Sequence, residues 1–123
     1  MPRILVIDDE PLIRSLLRRV LESQGYEVVE APDGCAGTRL YRREPCDLII
    51  TDIFMPEQEG IQTIRELRRD FPDVKVIAIS GGGKAMSDTD CLHLAAVLGA
   101  QRTFSKPLEM KELLKSVQEL LES

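Results

Sequence analysis

The sequence predicts an α/β fold in which a five-stranded parallel sheet is covered by helices on both faces. Short apolar runs of strand length alternate with longer segments whose apolar residues recur every three or four positions. The runs at 4–7 and 48–50 are apolar at every position, as in strands that are buried on both faces. With 123 residues, 43% of them hydrophobic, the chain is long enough for one such domain and too short for two.

The first half of the chain supplies three strands and two helices. The strands are predicted at residues 3–7, 26–31 and 47–51. Pro11 stands where a first helical position is expected, and the first helix should end before Gly25. Its predicted apolar face consists of Ile13, Leu16, Leu17, Val20 and Leu21. Asp33 is predicted to cap a second helix that runs through Glu44.

The second half repeats the alternation with two strands and three helices. The strands are predicted at residues 74–79 and 102–104. A third helix is predicted from the spacing of Ile61, Ile64, Leu67 and Phe71. A fourth lies between Ser87 and Leu98 and is ended by Gly99, and a closing helix begins near Met110. Only Ser123 follows that helix, so we expect residues 1–123 to be a single domain without an effector domain.

Composition excludes several classes of function. Sixteen Lys and Arg against 21 Asp and Glu give a net charge of −5, which argues against a nucleic-acid surface. The apolar stretches are too short to cross a bilayer, and the start of the chain does not resemble a signal peptide, so we expect a cytoplasmic protein without membrane contact. The three cysteines fit no metal-ligand spacing and are predicted to be small buried hydrophobic residues.

Chemically useful side chains follow three of the predicted strands. Asp8 and Asp9 come directly after the first strand, Asp52 after the third, and Lys106 shortly after the fifth. Because the carboxyl ends of parallel strands meet at one edge of a sheet, these groups should converge. Three carboxylates together repel one another, which indicates a bound cation, and hard oxygen ligands suit Mg²⁺. The alternative is that Asp8 and Asp9 simply cap the helix that starts near Pro11.

This arrangement is suited to phosphoryl transfer. Asp52 ends a strand that is apolar on both faces, and a carboxylate can attack phosphorus to give a mixed anhydride. The transferring group carries spread negative charge, so the protein must supply positioning and cations. Lys106 offers one cation, and Ser80, at the end of the fourth strand, offers a hydroxyl that could donate to a phosphoryl oxygen.

At these residues the sequence resembles the receiver domains of two-component response regulators. The resemblance rests on four signatures in the expected order: Asp8-Asp9-Glu10, Asp52-Ile53-Phe54-Met55-Pro56 with Gly60, Ile79-Ser80-Gly81 and Lys106-Pro107. It covers essentially the whole chain and implies a flavodoxin-like, doubly wound sheet with strand order 2-1-3-4-5 and five helices. It also implies a phosphoacceptor that assists its own phosphorylation and dephosphorylation but is not a turnover enzyme.

The resemblance implies a metal site with defined ligands. Asp9, Asp52 and the backbone carbonyl of Phe54 would bind Mg²⁺ directly, while Asp8 would act mainly through a metal-bound water. Asp52 would accept the phosphoryl group from a sensor histidine kinase, a phosphotransfer protein or a small phosphodonor.

The resemblance also implies how the bound phosphoryl group is sensed. Lys106 would pair with the phosphoryl group, the Ser80 hydroxyl would move toward it, and a cis peptide bond before Pro107 would orient the lysine. The surface formed by the fourth helix, the fifth strand and the closing helix would then change for an unknown downstream protein. The chain would act as a monomer or weak dimer.

Three features depart from the family pattern. Thr103 stands where the family usually has an aromatic switch residue, and Phe104, one place later, should face the other way into the core. The segment after Ser80 is a few residues longer than usual and contains three consecutive glycines. Those glycines are either a flexible connection or the element that reorders on phosphorylation. Gln58 and Glu59 replace the usual methionine and aspartate, which should affect the local surface more than the chemistry.

Three other functions compete with a phosphorylation switch. One is a receiver-like interaction domain that binds its partner independently of phosphate, which the Thr103 departure favours. A second is an aspartate-nucleophile phosphatase of the haloacid-dehalogenase type, but such enzymes place their two acids two residues apart and carry a cap domain. A dinucleotide-binding fold is disfavoured because no glycine fingerprint follows the first strand.

Overall fold

The computed structural model describes residues 1–53, 60–80, 96, 99–105 and 108–122. Its strands are β1 (Arg3–Ile7), β2 (Glu27–Ala31), β3 (Leu48–Asp52), β4 (Val76–Ser80) and β5 (Arg102–Ser105). Its helices within this part of the chain are α1 (Pro11–Ser23), α2 (Gly34–Arg43), α3 (Gly60–Asp70) and α4 (Met110–Glu122).

The five strands form one parallel sheet in the order β2-β1-β3-β4-β5. This confirms the predicted flavodoxin-like α/β fold and its strand order. Four helices lie in the described residues instead of the five predicted for the chain. The helix predicted between Ser87 and Leu98 falls outside the described residues, apart from Ala96, which is helical. None of the described helices is long and apolar enough to span a bilayer.

Side-chain alternation along the strands divides the core into two layers, one on each face of the sheet. Even-numbered residues of β1 and β3 pack with α1 and α4 in a layer of Ile4, Val6, Leu17, Leu21, Leu48, Ile50, Leu113 and Val117. Odd-numbered residues of the same strands pack with α2 and α3 in a layer of Leu5, Ile7, Tyr41, Ile49, Ile64 and Leu67. Both faces are therefore covered, which explains why the strands read as continuous apolar runs.

Local signals in the sequence account for the start and end of α1 and for the start of α2. Pro11 is the first residue of α1, and Gly25 follows the helix with a φ of +89°, a value that favours glycine. Asp33 caps α2 as predicted, since its Oδ1 accepts a hydrogen bond of 2.8 Å from the Ala36 amide. Gly25 thus follows the end of α1, and Asp33 fixes the start of α2.

The predicted apolar face of α1 is wrong at Leu16. Leu17 and Leu21 are fully buried against the sheet, whereas Leu16 is 44% exposed. Adjacent residues on an α-helix are separated by about 100° around its axis. Because Leu17 points at the sheet, Leu16 lies to one side of the contact, and Leu12, one turn earlier, is 82% exposed.

Helix α2 lies very close to β1. An added Cβ at Gly37 would lie 2.4 Å from Ile7 Cδ1 and 2.7 Å from Ile7 Cγ1, which is closer than side-chain atoms normally approach. Ile7, the last residue of β1, is only 1% exposed, and its side chain points toward α2. Glycine at position 37 thus lets the helix pack against the last residue of β1.

The far ends of α2 and α3 are joined by aromatic and ionic contacts. The rings of Tyr41 and Phe71 meet edge-to-face with centroids 4.9 Å apart. Asp70 forms ion pairs with Arg42 of α2 and with Arg69, whose Nε lies 3.0 Å from Asp70 Oδ1. Hydrogen bonds from Arg69 and then Arg42 lower the pKa of Asp70 from 3.8 to about 2.

The prediction of buried cysteines holds only in part for Cys46 and fails for Cys35. Cys46 is partly buried against the core, and burial raises the pKa of its thiol to about 11. Cys35 is exposed on α2, so the prediction is wrong there. It lies on the exposed side of α2, whereas Gly34 and Gly37 of the same helix are buried. Cys91 lies outside the described residues.

Candidate functional site

The carboxyl ends of the two central strands place acidic residues side by side. In the register of β1 and β3, Ile7 is paired with Thr51. Asp8 and Asp52 are each one residue further along, at the same edge of the sheet. The convergence expected from strand alternation is therefore what the structure shows for these two carboxylates.

Four carboxylates form one acidic group at this edge. Asp8, Asp9, Glu10 and Asp52 each contribute an oxygen atom, and these four atoms all lie within 4.8 Å of one another. Asp8 and Asp52 are 1% and 3% exposed, whereas Asp9 and Glu10 are exposed. The group thus has a buried half on the sheet and an open half toward solvent. Sequence reasoning did not include Glu10 among the candidate ligands, although Glu10 directly follows the acidic pair.

The turn between β1 and α1 is held by a hydrogen bond to β2 and by one to an aspartate side chain. The Asp8 amide donates to the Ala31 carbonyl over 3.2 Å, and the Glu10 amide donates to Asp8 Oδ1 over 2.9 Å. The N-cap position of α1 belongs to Glu10, whose side chain makes no capping hydrogen bond. Helix capping therefore does not explain the acidic pair, and the alternative role of Asp8 and Asp9 as caps is not supported.

An arginine also touches this turn. Arg14, one turn into α1, donates from Nη1 to the Asp8 carbonyl over 2.6 Å and from Nε to Glu30 Oε1 over 3.2 Å. Glu30, near the end of β2, is paired through its other oxygen with Arg18 Nε at 2.8 Å. Sequence reasoning missed this contact, and its only linear signal is a basic residue four positions after the acidic segment.

Two hydroxyls lie at the same edge of the sheet. Thr51 is fully buried, and its Oγ1 donates to the backbone carbonyl of Asp52 over 3.0 Å. Ser80 is also fully buried and ends β4, the strand next to β3, where Asp52 is paired with Ile79. The predicted serine is thus one residue beyond the partner of Asp52 on the neighbouring strand.

Several predicted site residues lie outside the described part of the chain. They are Lys106, Pro107, Phe54 and the glycine segment 81–83. Thr103 and Phe104 are described, and Phe104 packs against the core layer of α1 and α4. The prediction that Phe104 faces the core is confirmed. Thr103 is paired with Ala78, whose side chain belongs to the opposite layer.

The donor set fits a hard divalent cation. Carboxylate oxygens are the ligands that Mg²⁺ prefers, and it commonly binds one or two carboxylates while keeping several waters. Four carboxylates within 4.8 Å of one another carry more negative charge than a site without a cation would favour. Asp52 on β3 is buried, whereas Asp9 and Glu10 on the turn are exposed. One side of the acidic group is therefore open to solvent. An anion could approach a bound cation from that side.

Comparisons with known proteins agree on one family. The family model of the response regulator receiver domain matches residues 4–118. The response regulator receiver protein CpdR of Brucella abortus is 33% identical over 123 residues, which cover 98% of each chain. The DNA-binding dual master transcriptional regulator RpaA of Synechocystis is 35% identical, over 98% of this chain and 49% of that protein. The chain therefore spans about half the length of some curated relatives and nearly all of others.

A solved structure gives the same result. The response regulator protein TrrA from Thermotoga maritima, in complex with Mg²⁺-BeF, superimposes with a TM-score of 0.85 at 34% identity. The match covers 98% of this chain and 99% of that one.

Proposed function

Because the chain belongs to the response regulator receiver domain family of two-component systems, we propose that it accepts a phosphoryl group on Asp52. The donor is a sensor histidine kinase or a phosphotransfer protein, and residues 1–123 act as one signalling unit without enzymatic turnover. One observation carries the proposal. The nearly buried Asp52 carboxylate lies at the end of a central strand, within 4.8 Å of oxygen atoms from three other acids.

We assign the metal site to the acidic group. Asp9 and Asp52 would hold Mg²⁺ with the Phe54 carbonyl, and Asp8 would act through a bound water. When bound, the ion supplies positive charge that offsets the charge of the phosphoryl oxygens and of the acids themselves. The complex of the related TrrA with Mg²⁺-BeF supports this assignment.

Asp52 acts as the nucleophile in the proposed transfer. One of its carboxylate oxygens forms a bond to phosphorus while the bond from phosphorus to the donor atom breaks. That donor atom is a histidine nitrogen in a kinase and an oxygen in a small acyl phosphate, and it keeps the electron pair. Burial of Asp52 at 3% exposure restricts the motion of its carboxylate.

Two further residues are proposed to detect the phosphoryl group. Lys106 would pair with its oxygens, and the Ser80 hydroxyl, at the end of the neighbouring strand, would donate to one of them. Their movement would alter the surface formed by the segment after Ser80, β5 and α4, where a downstream protein binds. Phosphorylation adds roughly −1.5 to −2 charges at one point, which is enough to bias such a rearrangement.

The test is covalent labelling at a single residue. We expect incubation with Mg²⁺ and acetyl phosphate to add one phosphoryl group, detected by intact-protein mass spectrometry and located by peptide mapping to Asp52. Asp52→Asn should abolish the adduct. The matched control is Asp73→Asn, which changes an exposed aspartate in the turn before β4 and should be labelled like the wild type. Labelling that persists in Asp52→Asn would refute the assignment.

A second candidate function is phosphate-independent partner binding, and the position of Thr103 favours it. The aromatic residue of β5, Phe104, packs into the core layer of α1 and α4, so it is not placed on the face that Thr103 occupies. The two functions differ in a measurable way. Hydrogen–deuterium exchange in β5 and α4 should change on phosphorylation if the chain is a switch, and should stay the same if it is a constitutive binding domain.

A further inference from the structure

The side-chain contacts of Arg14 link the acidic turn to α1 and to β2. Its Nη1 donates to the carbonyl of Asp8, in the turn that carries the acidic group. Its Nε donates to Glu30 on β2, and its own backbone amide donates to the Glu10 carbonyl over 3.1 Å. The guanidinium therefore joins the acidic turn to helix α1 and to the neighbouring strand.

Glu30 holds this arginine in place. Its carboxylate accepts from Arg14 on one oxygen and pairs with Arg18 on the other, and Arg18 also donates from Nη2 to the Val28 carbonyl over 3.0 Å. The side chain of Arg14 is only 18% exposed and that of Glu30 is 29% exposed, so solvent screens the pair incompletely. A planar guanidinium with two donors engaged at fixed angles has little freedom to move.

We infer that Arg14, held by Glu30, is a positioning residue for the acidic site. By fixing the Asp8 carbonyl, it fixes the backbone from which the Asp8 and Asp9 carboxylates project toward Asp52. The inference rests on the proposed function, because the geometry it maintains is that of the assigned Mg²⁺ site. Outer partners of this kind commonly change metal affinity by about 10- to 100-fold when they are removed.

The sign of the effect separates positioning from simple charge. A cation beside a metal site repels the metal, so an arginine that acted only through its charge would weaken Mg²⁺ binding. Its removal would then tighten binding. If Arg14 acts by positioning, removal must weaken binding although a repulsive charge is lost. The two roles therefore predict opposite changes in the same dissociation constant.

The experiment measures Mg²⁺ binding by isothermal titration calorimetry in four variants. Arg14→Met removes the donors and the charge, Arg14→Lys keeps the charge and loses the planar fork, and Glu30→Gln loses the charge that orients the arginine. The control is Arg19→Met, which removes the same charge from an exposed position of α1. We expect about a tenfold higher dissociation constant for Arg14→Met, a smaller increase for Arg14→Lys and Glu30→Gln, and a value near wild type for Arg19→Met.

A second readout needs neither metal nor phosphate. The Asp8 amide donates to the Ala31 carbonyl of β2, and the Glu10 amide donates to Asp8 Oδ1. The exchange of these two amides with solvent, followed by nuclear magnetic resonance in metal-free protein, therefore reports the order of the turn. We expect faster exchange of both amides in Arg14→Met and Glu30→Gln but not in Arg19→Met.

The outcomes are distinct. Unchanged or tighter Mg²⁺ binding by Arg14→Met would overturn the positioning role. A wild-type protein that bound no Mg²⁺ would instead contradict the proposed function. In that case amide exchange would still decide the role of Arg14: faster exchange in Arg14→Met would uphold it, and unchanged exchange would overturn it.

Discussion

Replacing Gly37 by alanine tests the close contact between α2 and β1. In an ordinary helix the change from glycine to alanine stabilises the folded state by about 1 kcal/mol. Here the new Cβ would lie 2.4 Å from Ile7 Cδ1 and 2.7 Å from Cγ1, roughly 1 Å inside a normal contact. The contact must open, and the packing around Ile7 determines the cost.

The geometry predicts that the loss exceeds the gain. Ile7 is 1% exposed and belongs to the core layer under α2 and α3, so its side chain has little room to rotate away. Overpacking of this kind costs about 1–3 kcal/mol. After the helical gain is subtracted, we expect Gly37→Ala to lower the free energy of unfolding by about 1 kcal/mol.

The decisive measurement is a double-mutant cycle with Ile7→Ala, which removes both Cδ1 and Cγ1, the two atoms that the new Cβ would strike. Unfolding in urea, followed by far-ultraviolet circular dichroism, gives the free energy for each variant. We expect Gly37→Ala to become neutral or stabilising in the Ile7→Ala background, with a coupling of about 1 kcal/mol or more. The reasoning is refuted if Gly37→Ala stabilises the wild type by the ordinary helical amount, or if the two changes are additive.

Three further predictions concern a cap, an ion pair and the thiols. Asp33→Ala should lower the free energy of unfolding by about 1 kcal/mol, because the Ala36 amide loses its acceptor; Asp33→Asn, which keeps an oxygen, should lose much less in the same urea titration. Asp70 has a folded-state pKa of about 2 against 3.8 ordinarily, so its stabilising effect is present above that ordinary value and is lost as the pH falls toward about 2. The difference in melting temperature between wild type and Asp70→Asn should therefore shrink over that range, and a constant difference would contradict the assignment. In peptide-resolved alkylation near pH 8, where roughly a thousandth of a thiol with a pKa of about 11 is ionised, Cys46 should react far more slowly than exposed Cys35 until the protein unfolds.

The strands were predictable because burial on both faces leaves a continuous apolar run. The first and last residues of the strands were harder to predict, because the hydrogen-bonded pairing and the apolar run end at different residues. Strand β4 begins at Val76 and not at Val74, whose amide instead donates to the Phe71 carbonyl in the preceding turn. Strands β3 and β4 each extend one residue further than predicted, to Asp52 and Ser80, because their pairing continues past the last apolar position.

The candidate site was predictable to the extent that it follows from strand alternation. Asp8 and Asp52 meet because the strands they follow are neighbours with matched ends. The role of Arg14 could not be read from the sequence. Its contact depends on where Glu30 of β2 lies relative to α1, and the two residues are 16 positions apart. Helical spacing likewise failed at Leu16, because the width of a buried face is set by what packs against it.

The central strands of the sheet are held on both sides, and the edge strand β5 is held on one. Strands β1 and β3, which carry the acids, have neighbours on both sides, whereas β5 has four residues, one neighbour in the sheet and exposed ends. Displacing β5 would break one short ladder and leave the pairing of β1 with β3 untouched. The phosphorylation proposed at Asp52 can therefore move β5 while the pairing that holds Asp8 and Asp52 side by side is kept.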